Sequence, residues 1–207
     1  PSTDNGRERL LRAGFELFGQ KGFAGTSVSD LCNHAGVSRG LIRSYFGSKQ
    51  QLADAVDDMA FARIDAILRR NIDRFEQDGL KATLETCLTD YGDAHLAAYL
   101  RRALLEPTAR NMRFFERLFA YQEEVVGTAV RELIDEEGVD MKWVLMLKFF
   151  IEYGPLSLGP QVEKMFAGPT NSEGVSRGFA DTYWRMLTAV WSSEELDRAA
   201  RKFQIPK

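Results

Sequence analysis

Histidine and cysteine are scarce, with two of each in 207 residues. That scarcity excludes a His- or Cys-built metal centre and a disulfide framework, since both need clusters at fixed spacing. Cys32 and Cys87 lie in separate helical patterns and read as buried, reduced thiols of a cytosolic protein. A run of about 18 apolar residues is missing, so no membrane span is expected. The opening Pro1-Ser2-Thr3-Asp4-Asn5-Gly6 has no apolar core of the kind a signal peptide carries and reads as a flexible arm. Phosphate-binding glycine loops and nucleophile elbows are also missing. The paired carboxylates Glu123-Glu124, Asp135-Glu136-Glu137 and Glu194-Glu195 sit in charge runs typical of solvated helix faces or ends. The sequence therefore predicts neither an enzyme nor a cofactor or metal.

What remains is ordinary for a globular chain: 44% hydrophobic residues, 28% charged residues and a net charge of −3. The charge is unevenly placed. Residues 1–50 carry seven cations and four anions, a net +3, whereas the other 157 carry 20 cations and 26 anions, a net −6. A basic head on an acidic body confines polyanion binding to one end.

Periodicity is helical nearly throughout and no segment alternates at period two, which predicts an all-α fold of about nine or ten helices. The first helix is expected from about Gly6 to Gln20, with Leu10, Leu11, Phe15, Leu17 and Phe18 inward. Ser48 with Gln51 opens a long helix that ends at Asp78-Gly79. Further helices are predicted from Lys81 to Leu105 and from about Asn111 to Glu137, the latter closed by Gly138. The next spans Met141 to about Phe166, kinked or split by Gly154-Pro155 and Gly159-Pro160. After a loop at Gly168-Pro169-Thr170-Asn171, one helix runs from Ser172 to near Trp191. A last one, capped by Ser192 and Glu195, reaches about Phe203.

The most informative stretch is Thr26 to Phe46. Ser27 with Asp30 starts a short helix whose inward face is Leu31 and Ala35. Gly36 suits a left-handed terminator, Val37 plugs the turn, and Ser38 is placed to cap a second helix. Ile42 and Phe46 point that helix at the core, leaving Arg39, Gly40, Leu41, Arg43 and Ser44 outside. This is a helix-turn-helix with a small, basic outer face suited to a DNA major groove. Arg39 and Arg43, four apart, share a face, and an Arg fork matches guanine O6 and N7. Thr26, Ser38, Tyr45 and Lys49 suit the phosphate backbone, although capping alone also accounts for Thr26 and Ser38, and Ser27 joins them as a DNA-binding candidate.

The run Phe18-Gly19-Gln20-Lys21-Gly22-Phe23, Gly25-Thr26-Ser27, Ala35-Gly36-Val37-Ser38-Arg39-Gly40 and Tyr45-Phe46-Gly47-Ser48-Lys49-Gln50-Gln51-Leu52 is more specific still. From Arg7 to about Ala55, a quarter of the chain, it resembles the DNA-binding domain of the tetracycline-repressor-like (TetR) family of bacterial transcription regulators. The chain departs from that pattern on the recognition helix, with Arg43 where an aromatic is usual and Leu41 where a small or hydroxylated residue is common.

The resemblance implies a three-helix DNA-binding domain at residues 1–50 and a helical ligand-binding and dimerisation domain at 51–207. It further implies a cytoplasmic homodimer that leaves a palindromic double-stranded operator when a small effector binds. The body's aromatics suit a largely apolar ligand, and Tyr91, His95, Tyr99, Phe115, Phe119, Trp143, Leu147, Phe150 and Tyr153 are the candidate lining. Phe114 and Tyr121 join them, although plain core is the competing role for each. Val175, Phe179, Tyr183, Met186 and Val190 form an apolar stripe expected at the dimer interface. Three alternatives stay open: a constitutive regulator, an activator, or an all-helical carrier or enzyme.

Overall fold

The structure, a computed structural model, describes residues 5–86, 88–134, 139–169 and 173–202. Among them the fold is all-helical. The elements are α1 Gly6–Lys21, α2 Val28–Ala35, α3 Gly40–Phe46, α4 Lys49–Thr86 and α5 Ala94–Leu105. They continue with α6 Ala109–Leu133, α7 Met141–Ser157, α8 Gly159–Phe166, α9 Glu173–Thr188 and α10 Ser193–Ala200. Expectations that fell on Pro1 to Asp4, Cys87, Asp135 to Gly138, Thr170 to Ser172 and Phe203 lie outside the described residues.

Local chemistry sets each helix of the head. The Asn5 carboxamide oxygen accepts from the Arg7 and Glu8 amides at 2.8 and 3.2 Å, starting α1. Ser27 and Asp30 form the expected capping box, with the Asp30 amide donating to Ser27 Oγ at 3.0 Å and the Ser27 amide to Asp30 Oδ2 at 2.8 Å. Gly36 ends α2 in the left-handed region, at φ 62° and ψ 42°. Leu10, Phe15, Phe18, Leu31, Ile42 and Phe46 then close one core with Leu52 and Val56 of α4. Gly14 lets α4 come close, because a Cβ there would lie 2.9 Å from Val56 Cγ2.

The body departs from the sequence reading at two places. At Gly79 (φ 84°, ψ 173°) the long helix breaks as expected, but helix resumes at once and runs to Thr86. The next helix then starts at Ala94 rather than Lys81. Gly92 closes a turn onto Thr89, and Asp93 Oδ1 accepts from the His95 and Leu96 amides, which fixes a new N-terminus. The Gly-Pro pairs split α7 from α8: Pro155 stays inside α7, while Pro160 occupies the first turn of α8.

Two junctions tie the head to the body. On one side α1 packs against α5 with Gly19 facing the Tyr99 backbone, where a Cβ would lie 3.2 Å from the Tyr99 nitrogen. There the Arg102 guanidinium donates to the carbonyls of Gly19 and Gln20 at 3.0 and 2.7 Å, capping the end of α1. On the other side the α4 and α6 backbones scarcely approach, and long side chains span the gap. Arg110 reaches Asp57 at 2.5 Å and Asp54 at 2.9 Å, Arg117 reaches Asp58 at 2.6 Å, and the Tyr121 hydroxyl donates to Asp65. Asp57 also accepts from the Tyr99 hydroxyl, and its burial pushes the carboxyl above the usual range.

Candidate nucleic-acid interface and ligand cavity

The outer face of α3 is open. Arg39, Gly40, Arg43, Ser44 and Tyr45 are exposed, and a Cβ on Gly40 would meet nothing within 4 Å. Neither the Arg39 nor the Arg43 guanidinium makes an ion pair or hydrogen bond among the described residues. Two guanidinium groups one turn apart therefore point to solvent, unneutralised, on a helix narrow enough for a major groove.

Other expected contact residues are placed differently. Ser38 is exposed, but Arg39 is the N-cap of α3 and no side chain caps that helix. Ser38 instead offers its carbonyl to the Leu41 amide at 3.1 Å. Leu41 turns inward and packs on the core, since its position in α3 follows the Ile42 side rather than the arginine side. Thr26 is fully buried, and its hydroxyl donates to the Gly22 and Leu17 carbonyls at 2.8 and 3.3 Å. It locks the α1–α2 turn and has no free face for a phosphate.

Lys49 is likewise held inside. Its ammonium donates to the Phe23 carbonyl at 2.6 Å and lies 4.0 Å from the Phe23 ring centroid. Desolvation pushes its pKa below the ordinary lysine value. Ser27 is exposed, with its hydroxyl donating to Asp30 at 2.7 Å. His34 is exposed and pairs with Glu16 at 2.8 Å, so it belongs to the α1–α2 surface.

The body contains a cavity of about 400 Å³ between α4, α6, α7, α9 and α10. Leu68, Ile72 and Phe75 line it from α4, and Gln122, Val125, Val126 and Ala129 from α6. Across from them stand Val144, Leu147, Lys148, Ile151 and Glu152 of α7 with Phe179, Tyr183 and Met186 of α9, while Leu196 and Ala199 of α10 close one end. Leu147 and Met186 are also 57% and 62% exposed, which marks the mouth between α7 and α9.

Of the aromatic candidates for a lining, Tyr91 reaches the cavity, as does Leu147. Tyr153 lies directly behind the wall, bonded to the Tyr91 hydroxyl at 3.2 Å and receiving the Gln122 amide at 3.0 Å. Burial pushes its phenol well above the ordinary tyrosine value. Tyr99 stacks on Phe15 at the head–body junction, and Phe115 and Phe119 pack around Phe149 in the core. Phe114 is buried beside Tyr99, and Tyr121 packs against Phe61. His95, Trp143 and Phe150 face solvent. Phe179, Tyr183 and Met186, expected at an interface between subunits, line the cavity in the single chain, while Val175 is half-buried and Val190 exposed. Reading the sequence for aromatics missed the aliphatic wall and the polar trio Gln122, Lys148 and Glu152. A Gln on an otherwise apolar face of α6 was the available signal.

An all-helical fold that presents a basic helix-turn-helix on a body with an apolar cavity defines a class of DNA-binding regulator. Residues 10–56 match the family described as bacterial regulatory proteins, tetR family. Residues 10–56 thus carry the DNA-binding domain of the TetR family of bacterial regulatory proteins. The chain is 29% identical over 132 residues to the HTH-type transcriptional repressor KstR2 of Rhodococcus jostii, covering 61% of this chain. The match spans 60% of that relative, less than two thirds of its length. In fold it is similar to the transcriptional regulator FadR of Bacillus subtilis in complex with stearoyl-CoA. That likeness has a TM-score of 0.60 at 16% identity, covering 84% of this chain and 95% of FadR. A TetR-family regulator from Cytophaga hutchinsonii aligns with a TM-score of 0.55 at 17% identity, over 100% of this chain and 98% of that one.

Proposed function

We propose that this chain is a homodimeric transcriptional repressor, not an enzyme, that leaves a palindromic operator when a small, largely apolar molecule enters the cavity. Residues 1–50 act as the DNA-binding unit and residues 51–207 as the ligand-binding and dimerisation unit. The observation that carries the reading is the outer face of α3, where the Arg39 and Arg43 guanidinium groups stand exposed with no partner among the described residues. Two copies would set two such helices in successive major grooves, about 34 Å apart. An effector that prefers one spacing of the heads then changes operator affinity by its differential affinity for the two states.

Pairing is supported by the apolar side chains left in solvent on neighbouring helices. Trp143 and Phe150 of α7, Met165 and Phe166 of α8, Met186 of α9 and Val190 just after it are each more than half exposed. Exposed apolar surface on this scale is unfavourable in a monomer and fits a second subunit. The cavity favours ligand control over a constitutive regulator. The choice between repressor and activator depends on where the operator lies relative to its promoter.

The test is selection of bound fragments from a genomic DNA pool by the purified protein, followed by sequencing. Enrichment of a two-fold-symmetric site supports the reading, whereas no enrichment even at low salt rejects it.

A further inference from the structure

The polar end of the cavity limits the head group a ligand can bring; this inference rests on reading the cavity as an effector site. Among the described residues the wall contains two charged side chains, Lys148 and Glu152. They stand one turn apart on α7 and pair with each other, at 19% and 29% side-chain exposure. The Lys148 ammonium also lies 3.4 Å from Gln122 Oε1. Gln122, itself buried, donates its amide to the Tyr153 hydroxyl at 3.0 Å, and that oxygen is 3.2 Å from the Tyr91 hydroxyl. Elsewhere in the wall, Asn71 accepts from Arg74 and Thr83 donates to the Gly79 carbonyl. The polar end is thus a connected chain, Glu152–Lys148–Gln122–Tyr153–Tyr91, in which the charges cancel.

An anionic head would set a second negative charge beside Glu152 with one ammonium to balance both, so that one of the two anions is left unpaired. A cationic head would strand Lys148 in the same way. An unpaired charge shielded from water is strongly disfavoured, more than a new pair returns. A neutral carbonyl or hydroxyl requires no exchange of partners, because an ammonium has three protons and Glu152 and Gln122 engage two. We infer that the cavity takes an uncharged amphipathic molecule, an apolar body ending in one amide, ketone, ester or hydroxyl group seated at Lys148 and Gln122.

Calorimetry on the full chain with four probes of equal length, decanamide, decanol, decanoate and decylamine, tests this. The two neutral probes are expected to bind about tenfold or more tighter than the two ions. Glu152→Gln, checked for folding by thermal melting, leaves Lys148 without its anion, and decanoate should then outrank decanamide. Tighter binding of decanoate or decylamine to the unaltered protein overturns the inference while leaving the effector site standing. Failure of all four to bind overturns both. The expected ranking without any release of operator DNA sustains the head-group inference and rejects the effector role.

Discussion

Arg43 and Thr26 are both polar residues of the helix-turn-helix, yet burial gives them opposite duties. Arg43 projects into solvent, so Arg43→Ala should leave folding unchanged and weaken operator binding by about 1–3 kcal/mol. Competition against operators altered one base pair at a time would show relaxed preference at a single position. A uniform loss across all of them would instead mark a phosphate contact. Thr26→Val should cost about 1–2 kcal/mol of stability in denaturant melts, because two buried carbonyls lose their donor. Unchanged melting with weaker DNA binding would restore Thr26 to the interface. The outward arginines were legible from spacing alone, since residues i and i+4 share a helix face whatever packs behind them. The inward turn of Thr26 and Lys49 was not, because it depends on where Leu17, Gly22 and Phe23 arrive from α1 and the loop after it.

Helix ends carry the second scale. Two capping boxes, Ser27 with Asp30 and Ser192 with Glu195, were visible as four-residue patterns and are present in the structure. Hydrogen bonds from the serines hold both carboxyls below their ordinary values. A depressed folded-state pKa contributes stability that is present above the unfolded value and lost as pH falls through the folded one. Amides in the first turns of α2 and α10 should therefore gain hydrogen exchange below about pH 4, relative to the middles of those helices. Asp30→Asn and Glu195→Gln should remove that pH dependence, each at its own helix; exchange that still responds to acid in the variants would assign it elsewhere. The start of α5 escaped the sequence reading because helical spacing runs on through Thr86 and Leu88, and one Asp93 carboxylate, not a change of periodicity, resets the helix. The cavity escaped for a related reason: Val125, Val126 and Ile151 look like core at helical spacing, and only the separation of α4 from α6 leaves space between them.

At the scale of the molecule, the apolar surface of α7, α8 and α9 predicts assembly. Phe150→Glu places a charge on a side chain that is 56% exposed in the single chain, so the monomer should melt almost unchanged. Sedimentation equilibrium should then report a dimer for the unaltered protein and a monomer for the variant, with operator affinity falling in step. A variant that remains dimeric would move the interface off α7.

The start of α4, at Leu52 and Val56, is packed by the head, whereas its later turns wait for distant partners. Ser176 of α9 bonds the Glu85 carbonyl from 91 residues away, whereas the core shared by α1, α2, α3 and the start of α4 is assembled from neighbours in sequence. Closing a long loop delays such distant contacts, and chains emerge from the ribosome N-terminus first. The reading head should thus be finished while the cavity proposed to govern it is still unwalled. A truncated or stalled product would then carry a folded, basic DNA-binding face under no ligand's control.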